Sequence, residues 1–333
     1  MSVLLTAPRR AVAALAVAAL AFTSAPAAAA QAADEPAPAA RTEVAISPVD
    51  LDGPAISAVK VTVTNAGPER MRRLTVTFAG PAGWAVQPAE RSVDGSYAPG
   101  AAATAEFMIQ VPEPRPGFTM RTFTATATYK GGDGQGTATG TRVQRSGPVL
   151  DRLSDAYNNV GITDESNTAP GDYDGEGNSF SAQKLAAVGL TPGAPVTALG
   201  ARLTWPSAAP GTKNNVASTG QAVRLDGKGS RLVFLGSGVT TGAVGTATVI
   251  YTDGTSTRGA VGFPNWSFQD ATAHGATLVK STDGRNRPDG YGNAGIAYRV
   301  FAHSVPLDPA KTVEVVVLPA NANVHLFDMA VAP

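Results

Sequence analysis

Along much of this chain, apolar and polar residues alternate one by one. Val59, Val61 and Val63, then Leu74, Val76 and Phe78, then Phe107, Ile109 and Val111, then Phe123, Ala125, Ala127 and Tyr129 each occupy every second position. A period of two places such side chains on one face of an extended strand. Turn residues punctuate the runs at Asn65-Ala66-Gly67 and at Pro99-Gly100. Residues 41–146 are therefore predicted to form a small antiparallel β-sandwich.

A hinge is predicted at Gln144 to Pro148, after which the pattern resumes. Leu199, Ala201, Leu203 and Trp205 alternate, as do Ala247, Val249 and Tyr251, and Asp253-Gly254 between β-prone runs signals a hairpin. Val313 to Leu318 is nearly all apolar and reads as a central strand, and Val324 to Met329 reads as the last strand. Ser181 to Val188, with a capping serine at its start and Gly189 after it, predicts one short helix. Residues 147–333 thus read as a second, jelly-roll-like sandwich, and the whole protein as all-β.

The amino terminus changes the setting. Arg9 and Arg10 precede an apolar run from Ala11 to Phe22, and Ala25 to Ala30 offers small residues for cleavage. Residues 1–30 read as a secretory signal peptide, which places the mature protein outside the cell. The apolar run is shorter than the roughly 20 residues a spanning helix needs, so no membrane insertion is expected after cleavage. Residues 31–40 (QAADEPAPAA) read as a disordered tether. Pro8 and Ala11 flank the arginine pair poorly for a twin-arginine signal, so the general secretory route fits better.

The chain has no cysteine, so neither disulfides nor thiol chemistry contribute. Basic and acidic residues balance at 26 each, and loss of Arg9 and Arg10 tips the mature chain slightly acidic. Nucleic acid is thereby excluded as an expected partner, since it demands a basic footprint.

Candidate chemistry concentrates in the second module. Between Asp151 and Asn178 seven acidic residues face the single Arg152. Within that stretch Asp172, Asp174, Glu176 and Asn178 alternate with residues that include Gly175 and Gly177, a spacing that suits a structural calcium ion; a solvated acidic turn is the competing reading. Histidines number three, His274, His303 and His325, none in a nucleophile or zinc-protease motif, and His325 reads as a hydrogen-bonded core residue. Sugar recognition calls for flat aromatic faces beside hydroxyl-reading polar groups. Trp266 with Asn265 and Asp270, and Tyr291 with Arg285, Arg287, Asp289 and Asn293, supply those residue types in loop-like stretches. Trp205 and Trp84 read as packing residues, and Arg70, Arg72 and Arg73 as a solvated strand edge.

Two resemblances follow from particular segments. Val61 to Pro88, the Ala98-Pro99-Gly100 turn and the FMIQVP and TFTATATY strands resemble the immunoglobulin-like domain associated with carbohydrate-binding modules in secreted α-galactosidases. The run from Asn158 to Gly193, with LTWP, NNVASTGQ and NVHLFDMAV, resembles the non-catalytic C-terminal modules of exported bacterial glycoside hydrolases. The resemblance implies an immunoglobulin-like fold for the first module and a galactose-binding-like, jelly-roll-like fold for the second. It further implies an exported, non-catalytic accessory protein that contacts polysaccharide or cell-wall glycan, with a separate secreted hydrolase as a candidate partner. Two alternatives stay open: a small glycosidase or lyase using Asp164, Glu165 or Asp172, and a cell-surface module that binds another protein.

Overall fold

The computed structural model describes residues 41–52, 55–114 and 117–333; the signal peptide and tether read from the sequence lie outside them. Among the described residues, no helix is long and apolar enough to cross a membrane.

The first module comprises β1 (Glu43–Ile46), β2 (Ile56–Thr64), β3 (Met71–Ala79), β4 (Val86–Gln87), β5 (Glu90–Tyr97), β6 (Ala102–Gln110), β7 (Thr119–Lys130) and β8 (Thr137–Ser146). They form two antiparallel sheets, β1-β2-β6-β4 and β5-β3-β7-β8, packed face to face as an immunoglobulin-like sandwich. The alternation seen in the sequence is the inward set: Val59, Val61, Val63, Leu74, Val76, Phe107, Ile109, Phe123, Ala125 and Ala127 are buried. Phe78 fits between Phe107 and Phe123, with ring centroids 5.7 and 6.2 Å away. Asn65, in the predicted turn, is fully buried. Its amide donates to the carbonyls of Glu69 and Tyr97 at 2.7 and 2.9 Å and its oxygen accepts from Gly67 N–H, which fixes the β2–β3 connection to the end of β5.

The second module comprises β9 (Ile162–Thr163), β10 (Phe180–Ser181), helix α1 (Ala182–Ala187), β11 (Pro195–Ala198), β12 (Ala201–Thr204), β13 (Val216–Thr219), β14 (Ala222–Lys228), β15 (Arg231–Gly238), β16 (Val244–Tyr251), β17 (Ser256–Gly262), β18 (Thr277–Arg287), β19 (Gly290–Pro306), β20 (Thr312–Val317) and β21 (Ala320–Ala332). A five-stranded sheet, β13-β21-β15-β19-β18, packs on a four-stranded one, β14-β20-β16-β17. Ser181 caps α1 by accepting from Lys184 N–H, and Gly189 follows at φ +85°, the helix boundaries the sequence implied.

This sandwich has two cores. Between the sheets lie Leu232, Phe234, Phe301, Val305 and Leu326 with Val223, Val249, Val313 and Val316. On the outer face of the five-stranded sheet lie Val233, Leu235, Val300, Ala302 and Phe327, covered by Tyr173, Phe180, Leu185, Trp205 and Trp266 from the connecting segments. A strand covered on both faces has no polar side, so β15 shows no alternation of burial after Arg231.

The predicted hinge is a short, clamped junction instead. Leu150 bonds through its backbone to Ala222 and Arg224 beside β14, and Arg145 pairs with Glu314 at 2.8 Å. Phe118 and Val149 pack on Ala222, Ile250, Val315 and Val317. That contact explains why Val313 to Leu318 is nearly all apolar: β20 points Val313 and Val316 into its own core and Val315 toward the first module.

His325 lies in the outer core of the second module, its Nδ1 2.7 Å from Asn215 Oδ1. Burial pushes its imidazole down to about 4. The unfolded chain takes up a proton near the ordinary histidine value that the folded protein refuses until much lower pH. Stability is therefore expected to fall as pH drops from about 6.5 to about 4, by up to about 3 kcal/mol from this residue. Burial raises the carboxyl of Asp328, which acts in the opposite sense. The His325 contribution is accordingly read as wild type minus His325→Gln in urea unfolding at several pH values. Phe234→Ala, which empties the space between the sheets, is expected to cost about 3 to 5 kcal/mol in the same assay.

Candidate functional site

The segment from Phe263 to Ala276 connects β17 to β18 and is held by its backbone. Trp266 N–H donates to Gly238 O at 2.8 Å, and Arg299 N–H donates to Trp266 O at 2.8 Å. These bonds draw the indole inward, where it is 2% exposed and sits 4.7 to 4.9 Å from the rings of Tyr298, Tyr173 and Phe180. Trp266 is thus a plug of the outer core, and the stacking role read from the sequence is corrected. Asn265 is corrected with it. Its amide donates to Val239 O at 2.9 Å, its oxygen accepts from Ser267, and its N–H donates to Gln269 Oε1, so it closes a turn and has little left for a ligand.

Phe268, two residues further on, is the aromatic that this loop presents to water, 72% exposed. Arg299 anchors the loop beneath it by donating to Gln269 O at 2.7 Å. Asp270 is exposed and accepts from Thr272 N–H and Oγ1 at 2.7 and 2.6 Å, bonds that hold its carboxyl below the usual range. Its other carboxylate oxygen carries no hydrogen bond to another described residue. The sequence places Phe268 directly between Ser267 and Gln269, with Asp270 beyond, but with Trp266 two residues before it the local pattern does not say which of the two rings is exposed.

The remaining predicted sugar contacts gather at the tip of the β18–β19 hairpin but serve separate partners. Tyr291 lies half-buried across Gly284, where a Cβ would come within 2.3 Å of the tyrosine hydroxyl, and Lys184 from α1 places its ammonium 4.6 Å from the ring centre. The hydroxyl donates to Asp283 at 2.7 Å and is pushed up to about 12, first by desolvation and then by that carboxylate. Arg287 is exposed and pairs with Asp289 at 3.2 Å, and Asn293, at φ +58°, donates to the Tyr298 hydroxyl. Tyr291 is closed in by Gly284 and Lys184, which leaves Phe268 as the more open aromatic face.

The acidic run folds differently from a cation cradle. Asp174 accepts from the N–H groups of Glu176 and Asn178 on one oxygen, and from Asn178 Nδ2 and Arg285 Nη1 on the other, at 2.9 and 3.2 Å. The Arg285 guanidinium in turn lies over Trp266 and Tyr298. Asp172 accepts from Gly177 N–H, Glu176 is exposed and Asn178 is buried, so the four predicted ligands do not converge on one point. Among the described residues, no three His, Asp or Glu side chains gather to share an ion. The calcium ligand set is corrected on this ground. The neutralising charge for Asp174 comes from an arginine 111 residues away, which local spacing does not reveal.

The carboxylates considered for hydrolysis are likewise engaged. Glu165 accepts from Ser181 Oγ at 2.6 Å, and Asp164 accepts from Ser166 and from Gln183 Nε2. Among the described residues, no serine hydroxyl bonds to a histidine: His274 meets Thr241 O and Gln269, His303 meets His274 O, and His325 meets Asn215. Trp84 is partly buried against Phe123 with Arg121 over its ring, which fits the packing role read from the sequence.

No curated protein matches the chain. Among solved structures it is similar to the secreted serine protease VesC from Vibrio cholerae, at 12% identity and a TM-score of 0.28 over 84% of this chain and 51% of that one. It is also similar to the C-terminal domain of the Streptococcus agalactiae AgI/II polypeptide BspA, at 7% identity and a TM-score of 0.18 over 88% and 91% of the two chains. The chain thus spans about half the length of VesC, and scores this low carry no weight for activity. Residues 55–130 match the NPCBM-associated, NEW3 domain of alpha-galactosidase, so the first sandwich is an accessory-type module. Residues 150–333, more than half of the chain, match the AziU2-like beta-sandwich domain, and the chain belongs to that family.

Proposed function

We propose that this is an exported, non-catalytic accessory protein whose second module binds glycan. The observation that carries the reading is Phe268, a large aromatic ring held in water by a loop anchored on either side of it, through Trp266 N–H to Gly238 O and Gln269 O to Arg299. A rigid apolar face loses little entropy when a pyranose ring stacks on it. The free carboxylate oxygen of Asp270 stands two residues away as a hydroxyl acceptor. The match of the first module to a domain associated with alpha-galactosidase supports the same setting, since such modules accompany glycan-processing enzymes. On this reading the module brings a separate secreted hydrolase or the cell surface into contact with polysaccharide.

Depletion from solution by insoluble cellulose, chitin and galactomannan, followed by calorimetry with soluble fragments, tests the proposal. Retention by at least one polymer is expected, and Phe268→Ala is expected to weaken it about tenfold, equal to about 1.4 kcal/mol, with an unchanged melting temperature. Absence of retention across the panel, or an unchanged affinity in Phe268→Ala, overturns it. Release of reducing sugar that is abolished by Glu165→Gln or Asp172→Asn would replace it with the hydrolase reading.

A further inference from the structure

The first module holds a concentration of positive charge in which three cations stand against one carboxylate, Glu69. Arg70, Arg72 and Lys130, with Glu69 and Gly131, line a cleft of about 400 Å³. Strand β3 is not an edge strand, as the sequence reading had placed it; it runs between β5 and β7. In that central position Arg72 and Lys130 are register partners on adjacent strands, and both are exposed on the outer face of the sheet. Like charges set directly opposite each other across two strands repel.

No ion pair among the described residues relieves that repulsion, and Glu69 is the one carboxylate that lines the cleft. Arg70, Arg72, Arg73 and Lys130 form no ion pair there, whereas eight pairings elsewhere engage the seven cations Lys60, Arg145, Arg152, Arg224, Arg285, Arg287 and Lys311. Arg70 is also fixed in place: its Nε donates to Ser96 Oγ and its Nη2 to Ser96 O, both at 3.0 Å, which leaves Nη1 for a ligand. A β-bulge interrupts the β3–β5 register between Arg72 and Leu74, with Arg73 at φ +53°. Bulges turn side chains out of the sheet pattern, and an arginine in the left-handed region is a strained choice.

We propose that this cleft is a binding site for an acidic saccharide, one carrying carboxylate or sulfate groups beside free hydroxyls. The guanidinium groups and Lys130 take the anionic group in charge-assisted hydrogen bonds. Glu69 in the same cleft favours a saccharide over a chain of phosphates, because it accepts hydrogen bonds from sugar hydroxyls and polyphosphate offers none. The site is separate from the Phe268 loop and goes beyond the function proposed above.

Affinity electrophoresis of the mature two-module protein in gels carrying polygalacturonate, heparin, polyphosphate or neutral dextran tests it. Retardation is expected in polygalacturonate or heparin and not in dextran, and is expected to vanish at about 0.5 M salt. The double variant Arg72→Gln with Lys130→Gln is expected to weaken the retardation at least tenfold while its melting temperature stays at or above that of wild type, because the repelling pair is gone. Lys130→Gln alone serves if the double variant does not fold. Phe268→Ala is expected to migrate like wild type in these gels, so failure here and failure of the second-module proposal are told apart. Equal retardation of variant and wild type, stronger retardation by polyphosphate than by either polysaccharide, or no retardation at all overturns the site.

Discussion

Coverage of the five-stranded sheet on both faces is the constraint from which most of the second module follows. Its middle strands carry apolar residues toward the four-stranded sheet and, at the intervening positions, toward an outer layer of loops and one short helix. A loop layer can serve as half of a core only if its backbone groups are satisfied, since buried unpaired amides are expensive. The module meets that demand with side-chain amides. Asn214 accepts from Gly161 N–H and donates to Ile162 O, Asn265 bonds to Val239, and Asn286 donates to Thr163 O.

That same requirement shapes the surface available for recognition. Trp266 closes the outer core, so the loop that carries it is pinned through Trp266 to Gly238 and Arg299, and Phe268 remains outside. Phe268 stands on that support. Trp266 turns into the core at that point while Phe268 turns out to water.

Charge is handled differently in the two modules. In the second, Asp174 is neutralised from within by Arg285 and by N–H groups of its own loop, and the aromatic rings beneath Arg285 help to fix that arrangement. In the first, strand register brings Arg72 and Lys130 side by side with no ion-pair partner among the described residues. The short junction, with its apolar contact and the Arg145–Glu314 pair, sets the two sandwiches in one compact unit, so both surfaces belong to a single body.

Most of the fold was legible along the chain because strand alternation is a local property. Val59 to Val63 and Phe123 to Tyr129 declare a one-sided strand within a few residues, and Ser181 with Gly189 marks both ends of α1. The site was less legible. Whether Trp266 or Phe268 faces water depends on a pairing with Gly238, 28 residues earlier in the chain, and the charge that balances Asp174 comes from Arg285. The sequence by itself determined two sheet sandwiches and the inward set of most strands, because these rest on near-neighbour periodicity. Only the tertiary structure decided which aromatic is exposed, which carboxylates are already neutralised and that Arg72 stands beside Lys130, because each of these is a contact between segments far apart in the chain.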